Sequence, residues 1–398
     1  MTHPLQNKSI VLGVTGSIAC YKAADLASKL VQAGALVDVI MTESATRFVT
    51  PLTFHSITHR PVVTDLFNPQ TGTVEHIEMA RRADIIVVAP ATANTIAKLA
   101  HGFADDALAA TVLATTAPVL LCPAMDGNMY ANAATQDNIE RLKARGFTFA
   151  GPASGHLASG MTGAGRLVET SEITGWIRLA LGRKGDLAGR KVVVSAGGTQ
   201  EAIDPVRYIT NRSSGKMGYA IADAARDRGA NAVLVAAPTA LPDPTGIRVA
   251  RVQNVREMQA ALTAECKDAD AIIMAAAVSD WRPATKAAQK VKKGAAATWS
   301  IDLVKNPDVI AGLEGSRLIK VGFAAETEDL EEHAREKIAS KGLHFIVAND
   351  ITAHDAGFAV DDNRVTIIDR DGGAEHLELM SKYEVGLRIL DRVAALLK

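Results

Sequence analysis

Cysteine is scarce in this chain. Three stand among 398 residues (Cys20, Cys122, Cys266), far apart and without Cys-x-x-Cys spacing. That argues against a disulfide framework or a structural zinc, and fits a reduced, cytoplasmic compartment. Aromatic residues are only 4% of the chain, too few for the stacking platforms that single-stranded nucleic acid requires. An excess of one charge is also missing. The net charge is −1 and Lys and Arg are spread along the sequence, so there is no basic field for nucleic acid and no acidic tail. No apolar run approaches the length that spans a bilayer, and the opening MTHPLQNK lacks the apolar segment of a signal peptide. What is present is the balance of a globular protein, 48% hydrophobic and 22% charged, in a length that suggests two domains. The expected partners are small molecules, with neither nucleic acid nor membrane among them.

The first half alternates strands and helices. Ser9–Gly13 is a short apolar run, followed by helical spacing over 18–33, with Gly34 placed as a helix stop and 36–41 as the next strand. The runs 84–89 and 118–122 are apolar on both faces, the pattern of a parallel sheet covered by helices. The second half restarts the same grammar, with a strand at 191–195, a helix at 215–228, a stop at Gly229 and a strand at 232–236. QAGALVDVI and DRGANAVLV occupy equivalent places in the two halves. Residues 364–369 and 374–379 flank Asp371-Gly372-Gly373 as a hairpin, and an amphipathic helix covers roughly 383–397. The fold class expected is α/β with two doubly wound domains. The first is flavodoxin-like or Rossmann-like and spans 1–185; the second is Rossmann-like and spans 186–398, across a polar boundary at 182–190.

In the first half, Gly13-Val-Thr-Gly16-Ser17 ends a strand and opens a helix. Glycines there permit close backbone approach to an anion at the helix N-terminus, and a tight turn packed on the sheet is an equal reading. It is not Gly-x-Gly-x-x-Gly, which disfavours a dinucleotide site. Loops after three further strands carry Met41-Thr42-Glu43-Ser44, Ala89–Asn94 and Cys122–Asp126, and ligands of open α/β sheets bind beyond these carboxyl ends. Over about residues 8–168 the ordered runs GVTGSIACYKAADL, MTESATRF, EHIEMARRAD, APATANTIAKLA, PAMDGNMY and GHLASGMTGAGRL resemble the flavoprotein cysteine decarboxylases. The resemblance implies FMN held by Gly16, Ser17, Thr42, Ser44, Ala91, Thr92, Asn94 and Met125, with His76 as catalytic base, and a homo-oligomer. Two positions depart from the family pattern. Where it has Pro-x-Met-Asn, this chain has Asp126; where its flap has Ala-Cys-Gly, this chain has Ser159, and a hydroxyl is a far poorer acid than a thiol. The departures point to a variant site with a different proton donor at the last step. The alternatives are a flavin domain that is structural or regulatory, or one that releases an enethiol product.

In the second half, Ser195–Glu201 ends a strand in consecutive glycines and runs on through Asp204–Ile209 to Thr210-Asn-Arg-Ser-Ser-Gly-Lys-Met-Gly218. A polar insertion of roughly 20 residues between strand and helix argues for a site, and Ser-Ser-Gly at a helix start supplies donors for phosphate. Met274–Trp281, the lysines 290, 292 and 293, Lys305–Asp308, Gly322–Thr327 and Ala348–Asp350 follow. Together they resemble the phosphopantothenate–cysteine ligase half of the bifunctional coenzyme A biosynthesis enzymes, over about 188–396. The resemblance implies that CTP with Mg2+ activates the phosphopantothenate carboxylate as an acyl-cytidylate, which cysteine then attacks. By position, Asn211 would hold the acyl intermediate and Lys290 would meet charge during cytidylyl transfer. Met274, Ala275, Ala276, Asp280, Pro307, Asp308, Val309, Ile310, Phe323, Lys337 and Lys341 would line the CTP site. Metal ligands are not readable from the sequence, because Mg2+ binds mainly through phosphates and water.

Overall fold

The computed structural model describes residues 4–67, 75–292, 298–315, 317–326, 330–350 and 360–398. The chain forms two compact units, Thr2–Gly182 and Arg183–Lys398.

The first unit runs β1 (Ser9–Val14), α1 (Cys20–Gln32), β2 (Leu36–Met41), α2 (Glu43–Thr46), α3 (Pro51–Thr58), β3 (Val62–Val63), α4 (Glu75–Arg82) and β4 (Ile85–Ala91). It continues with α5 (Ala93–His101), α6 (Ala107–Ala114), β5 (Val119–Pro123), α7 (Gly127–Ala131), α8 (Ala133–Ala144) and β6 (Thr148–Phe149). A hairpin, β7 (Ala153–His156) and β8 (Thr162–Arg166), precedes α9 (Thr170–Gly182). The six-stranded sheet has the order β3-β2-β1-β4-β5-β6, all parallel. This is the Rossmann order, with the chain reversing direction between β1 and β4; the flavodoxin order expected as an option is not adopted. The apolar runs are continuous because both faces are covered. Ile10, Leu12 and Val14 enter the core that holds α1 and α9, whereas Val11 enters the opposite core with α5 and α6. Each such fully buried aliphatic contributes about 1.5–3 kcal/mol.

The second unit runs β9 (Lys191–Ala196), β10 (Gln200–Ala202), β11 (Tyr208–Thr210), α10 (Lys216–Asp227), β12 (Asn231–Ala236), β13 (Arg248–Arg251), α11 (Val255–Glu265) and β14 (Ala271–Met274). Then come β15 (Trp281–Pro283), β16 (Leu303–Lys305), β17 (Ile319–Glu326), α12 (Leu330–Lys341), β18 (Phe345–Asp350), β19 (Asp362–Asp369), β20 (Ala374–Ser381) and α13 (Lys382–Leu396). Its eight-stranded sheet has the order β13-β12-β9-β14-β17-β18-β19-β20, parallel until β19 and β20 join antiparallel. The polar insertion after β9 folds in part into the antiparallel pair β10–β11. A second small antiparallel pair, β15–β16, joins segments twenty positions apart at their nearest, Pro283 and Leu303. Gly34 and Gly229 end their helices at φ +84° and +88°, a conformation that glycine adopts without strain.

The three cysteines are buried and unpaired. Burial pushes the Cys20 and Cys122 thiols up, and Cys266 up to about 11. Among the described residues, no helix is long and apolar enough to cross a membrane.

Candidate functional sites

Parallel βα units leave their loops at the carboxyl edge of the sheet, and a cavity stands there in each unit. In the first unit, the loops after β1, β2, β4 and β5 enclose about 560 Å3. Gly16, Ser17, Thr42, Ser44, Thr92, Asn94 and Met125 line it. Gly16 is required by proximity, since a Cβ there would stand 2.5 Å from Cβ of Ser44. Thr92 caps α5, accepting from the Thr95 N–H at 3.4 Å, and Thr42 caps α2, accepting from Ala45 at 3.3 Å. Buried Thr15 ties two of these loops together by donating to the Pro90 carbonyl at 2.7 Å. Hydroxyls, an amide and a helix N-terminus form a neutral donor set suited to a phosphate monoester. Ala91 does not reach the cavity; it is buried in β4, where its carbonyl accepts from the Ala124 N–H at 3.1 Å. Lys98, inside the run APATANTIAKLA, and Asp105 and Asp106, outside every motif singled out in the sequence, share the lining as an ion-pair group with Lys98 2.9 and 3.0 Å from the two carboxylates.

An adjoining cavity of about 380 Å3 lies between the start of α1, the loop after β5 and the β7–β8 hairpin. Here the two departures from the family pattern meet. Ser159 Oγ donates to Asp126 Oδ2 at 2.6 Å, while Asp126 Oδ1 caps α7 by accepting from Asn128 at 2.9 Å. The Ser159 hydroxyl, followed by the Asn128 amide, holds the Asp126 carboxyl below the usual carboxylate range. The hairpin base is fixed by the Met125 N–H donating to the Gly165 carbonyl at 3.0 Å. A Cβ on Gly165 would stand 2.3 Å from the Met125 carbonyl oxygen. His76 lines neither cavity. It is half-buried in the first turn of α4, a helix that packs on α6.

In the second unit, a cavity of about 610 Å3 opens between the 210–218 segment, the loop after β14 and the ends of β17 and β18. Asn211, Ala275, Ala276, Asp280, Phe323 and Lys337 are brought together in it. Asn211 Nδ2 donates to the Val278 carbonyl at 3.1 Å. Gly198 permits that approach, since a Cβ there would lie 2.7 Å from the Asn211 carbonyl oxygen. At the start of α10, Ser213 Oγ accepts from the Gly215 N–H at 3.3 Å and Ser214 Oγ from the Lys216 N–H at 3.4 Å. Gly218 lets α10 lie on β9, with a Cβ there only 2.6 Å from the Ser195 carbonyl oxygen.

Other residues expected at this site are not among those that line the cavity. Met274 is buried at the end of β14, accepting from Ser195 Oγ at 3.2 Å. Val309 and Ile310 sit in the core with α11. Pro307 and Asp308 are exposed, and Asp308 pairs with Lys341 at 2.9 Å. Lys290 is exposed on the segment after β15, off the cavity lining. Lys293 and Thr327 fall outside the described residues. Asn349, Asn363 and Lys382 also line the cavity. Only Asn349 lay in a motif visible in the sequence, and its Oδ1 is buried without a hydrogen-bond partner. Among the described residues, no cluster of three or more His, Cys, Asp or Glu could hold a metal ion.

Comparison with known proteins accounts for both units. Residues 1–181 match the Flavoprotein family and residues 187–397 match the DNA/pantothenate metabolism flavoprotein C-terminal domain. The coenzyme A biosynthesis bifunctional protein CoaBC of Bacillus subtilis (strain 168) is 46% identical over 99% of this chain and 98% of its own length. The chain belongs to the bifunctional coenzyme A biosynthesis family. The CoaBC protein of Mycolicibacterium smegmatis is 44% identical, covering 98% of each chain. A crystal structure of the C-terminal domain of a CoaBC protein aligns over 54% of this chain and 98% of its own at 36% identity, with a TM-score of 0.46.

Proposed function

We propose that this chain makes phosphopantothenoylcysteine with its second unit (186–398) and decarboxylates it to phosphopantetheine with its first (1–185). Full-length similarity to bifunctional coenzyme A biosynthesis proteins carries the reading, and the cavity at each sheet's carboxyl edge supports it.

Ligation requires activation, because a carboxylate is a poor electrophile with a poor leaving group. A phosphopantothenate carboxylate oxygen attacks the α-phosphorus of CTP, and the bond to pyrophosphate breaks with pyrophosphate keeping the electron pair. The cysteine amine then attacks the acyl carbon, CMP leaves with the electron pair, and the amine proton passes to solvent. The Ser213–Lys216 turn at the start of α10 fits the triphosphate, and Lys290 is assigned to charge developing at the leaving phosphates. Asn211, fixed on the Val278 carbonyl, holds the acyl intermediate for attack. Asp280 offers a carboxylate at the cavity, the oxygen chemistry that Mg2+ takes alongside phosphate.

In the first unit, the donor set around Gly16 suits the phosphate of FMN, with Ser17, Thr42, Ser44, Thr92 and Asn94 to hold it. Flavin, when bound, supplies reversible two-electron chemistry at the substrate's sulfur-bearing carbon. His76 is assigned as base. Because α4 leads into β4, its first turn lies at the carboxyl edge but off the single-chain cavities, which favours a homo-oligomer in which copies complete each other's sites. Three buried, unpaired thiols support a reduced, cytoplasmic setting.

One observation favours a second reading. Ser159 donates its hydrogen bond to an ionised Asp126, so neither is poised as an acid, and the first unit would then release the unsaturated enethiol, its two electrons left with the flavin until an oxidant such as dioxygen takes them. The deciding experiment supplies phosphopantothenate, cysteine, CTP and Mg2+ and follows products by mass. Phosphopantetheine with CMP and CO2 supports the full reading. Enethiol alone supports the second, and phosphopantothenoylcysteine with no CO2 leaves only the ligase.

A further inference from the structure

The turn between β10 and β11 carries an acidic residue that does more than close it. Asp204 is 2% exposed. Its Oδ1 accepts the N–H of Val206 at 2.8 Å and of Arg207 at 2.9 Å, which closes the turn. Its Oδ2 faces away from the turn and accepts from Arg207 Nε at 2.9 Å, from Arg207 Nη2, and from the backbone N–H of Val291 at 3.1 Å. Arg207 Nη2 in turn donates to the Val291 carbonyl at 2.8 Å. One ion pair therefore takes both the donor and the acceptor of a single residue 84 positions away from Arg207. A further backbone bond, Ala287 N–H to the Ile203 carbonyl at 2.9 Å, lies alongside. The Arg207 guanidinium also stands 4.5 Å from the centroid of the Trp299 ring, which leaves it little freedom to swing off.

The neighbours of Val291 are Lys290 and Lys292, both exposed. A residue whose N–H and C=O are both held cannot turn about its own backbone, so the path of the chain that carries the residues on either side is set. We propose that Asp204 is a positioning residue of the ligase: through Arg207 it clamps Val291 and so determines where Lys290 and Lys292 stand. This rests on the assignment of Lys290 to cytidylyl transfer. Arg207 holds the Asp204 carboxyl well below the usual carboxylate range, so the clamp stays charged throughout the neutral range.

The asymmetry of the two oxygens provides the test. In Asp204→Asn the amide oxygen can keep the turn-closing bonds of Oδ1, while the NH2 group places donors against Arg207 and the Val291 N–H. The full-length variant should release pyrophosphate from CTP and phosphopantothenate on the order of tenfold more slowly. Cysteine-dependent CMP release from accumulated acyl-cytidylate should keep its rate. Added to Lys290→Ala, the substitution should cost little more, because the clamp reaches cytidylyl transfer through Lys290. Trypsin should cut the Lys290–Val291 bond faster in Asp204→Asn than in the parent, a readout independent of turnover. Equal slowing of both half-reactions, full additivity with Lys290→Ala, or unchanged pyrophosphate release would overturn the positioning role. A parent enzyme that releases no pyrophosphate with these substrates would instead overturn the ligase reading, and the tryptic cleavage would still decide the clamp.

Discussion

At the residue scale, the proposed reactions turn on two side chains. Asn211 is exposed at the cavity and anchored through Nδ2 on the Val278 carbonyl. Asn211→Asp replaces that donor with an acceptor facing a carbonyl oxygen. It should leave CTP-dependent pyrophosphate release in place and slow amide formation by on the order of tenfold or more; an undiminished ligation rate would remove Asn211 from the second step. Ser159 is the other. A thiol beside the Asp126 carboxylate remains protonated yet is a far stronger acid than a hydroxyl, so Ser159→Cys should raise the ratio of saturated product to enethiol by about tenfold. Mass spectrometry resolves the two products by their two-hydrogen difference, and an unchanged ratio would show that the flap residue supplies no proton. That Asp126 and Ser159 touch was not legible in the sequence. Thirty-three positions separate them, and only the folding of β7–β8 back onto the loop after β5 brings them together.

At the scale of elements, the strands and helices that the sequence revealed are those with strong periodicity or a glycine stop. β2 ends where the apolar run ends, and α1 and α10 stop at Gly34 and Gly229. The ribbons β10–β11 and β15–β16 were not visible, because three-residue strands with distant partners carry no period of their own. Val309 and Ile310, assigned by resemblance, meet a related limit. An apolar pair after Asn-Pro-Asp reads alike whether it lines a ligand or, as here, fills the core beside α11.

Element pairing also brings a titration into stability. His344 precedes β18, donates its backbone N–H to the Lys320 carbonyl at 2.9 Å and accepts the Lys320 N–H on its ring at 3.1 Å. Burial, and then the charges of Arg370 and Lys320, depress its pKa from the ordinary 6.5. The unfolded chain therefore binds the proton first. The contribution to stability is complete above 6.5 and is lost as pH falls toward the depressed folded value. Thermal unfolding between about pH 7.5 and 5.5 should show this loss, and His344→Asn, which keeps an acceptor that does not titrate, should flatten it. An equally steep profile in the variant would place the titration elsewhere.

For the whole molecule, the sequence shows one grammar used twice, and each use builds its own sheet, its own pair of cores and its own cavity. What neither half shows by itself is how the chain handles sulfur. Cysteine, phosphopantothenoylcysteine and phosphopantetheine are thiols, and a nucleophilic thiolate on the protein would attack their disulfide forms, expelling one thiolate and keeping the other half as a mixed disulfide. Every cysteine in the chain is buried, and burial favours its neutral form. Iodoacetamide should therefore leave the native protein unlabelled and add three groups only after denaturation, counted by intact mass; one group added to the folded protein would contradict this. The serine at the flap then has a second meaning. A chain with Ser159 there presents no thiolate at the flap to open a disulfide of its own cargo, and Ser159→Cys would exchange that immunity to self-trapping for a better acid.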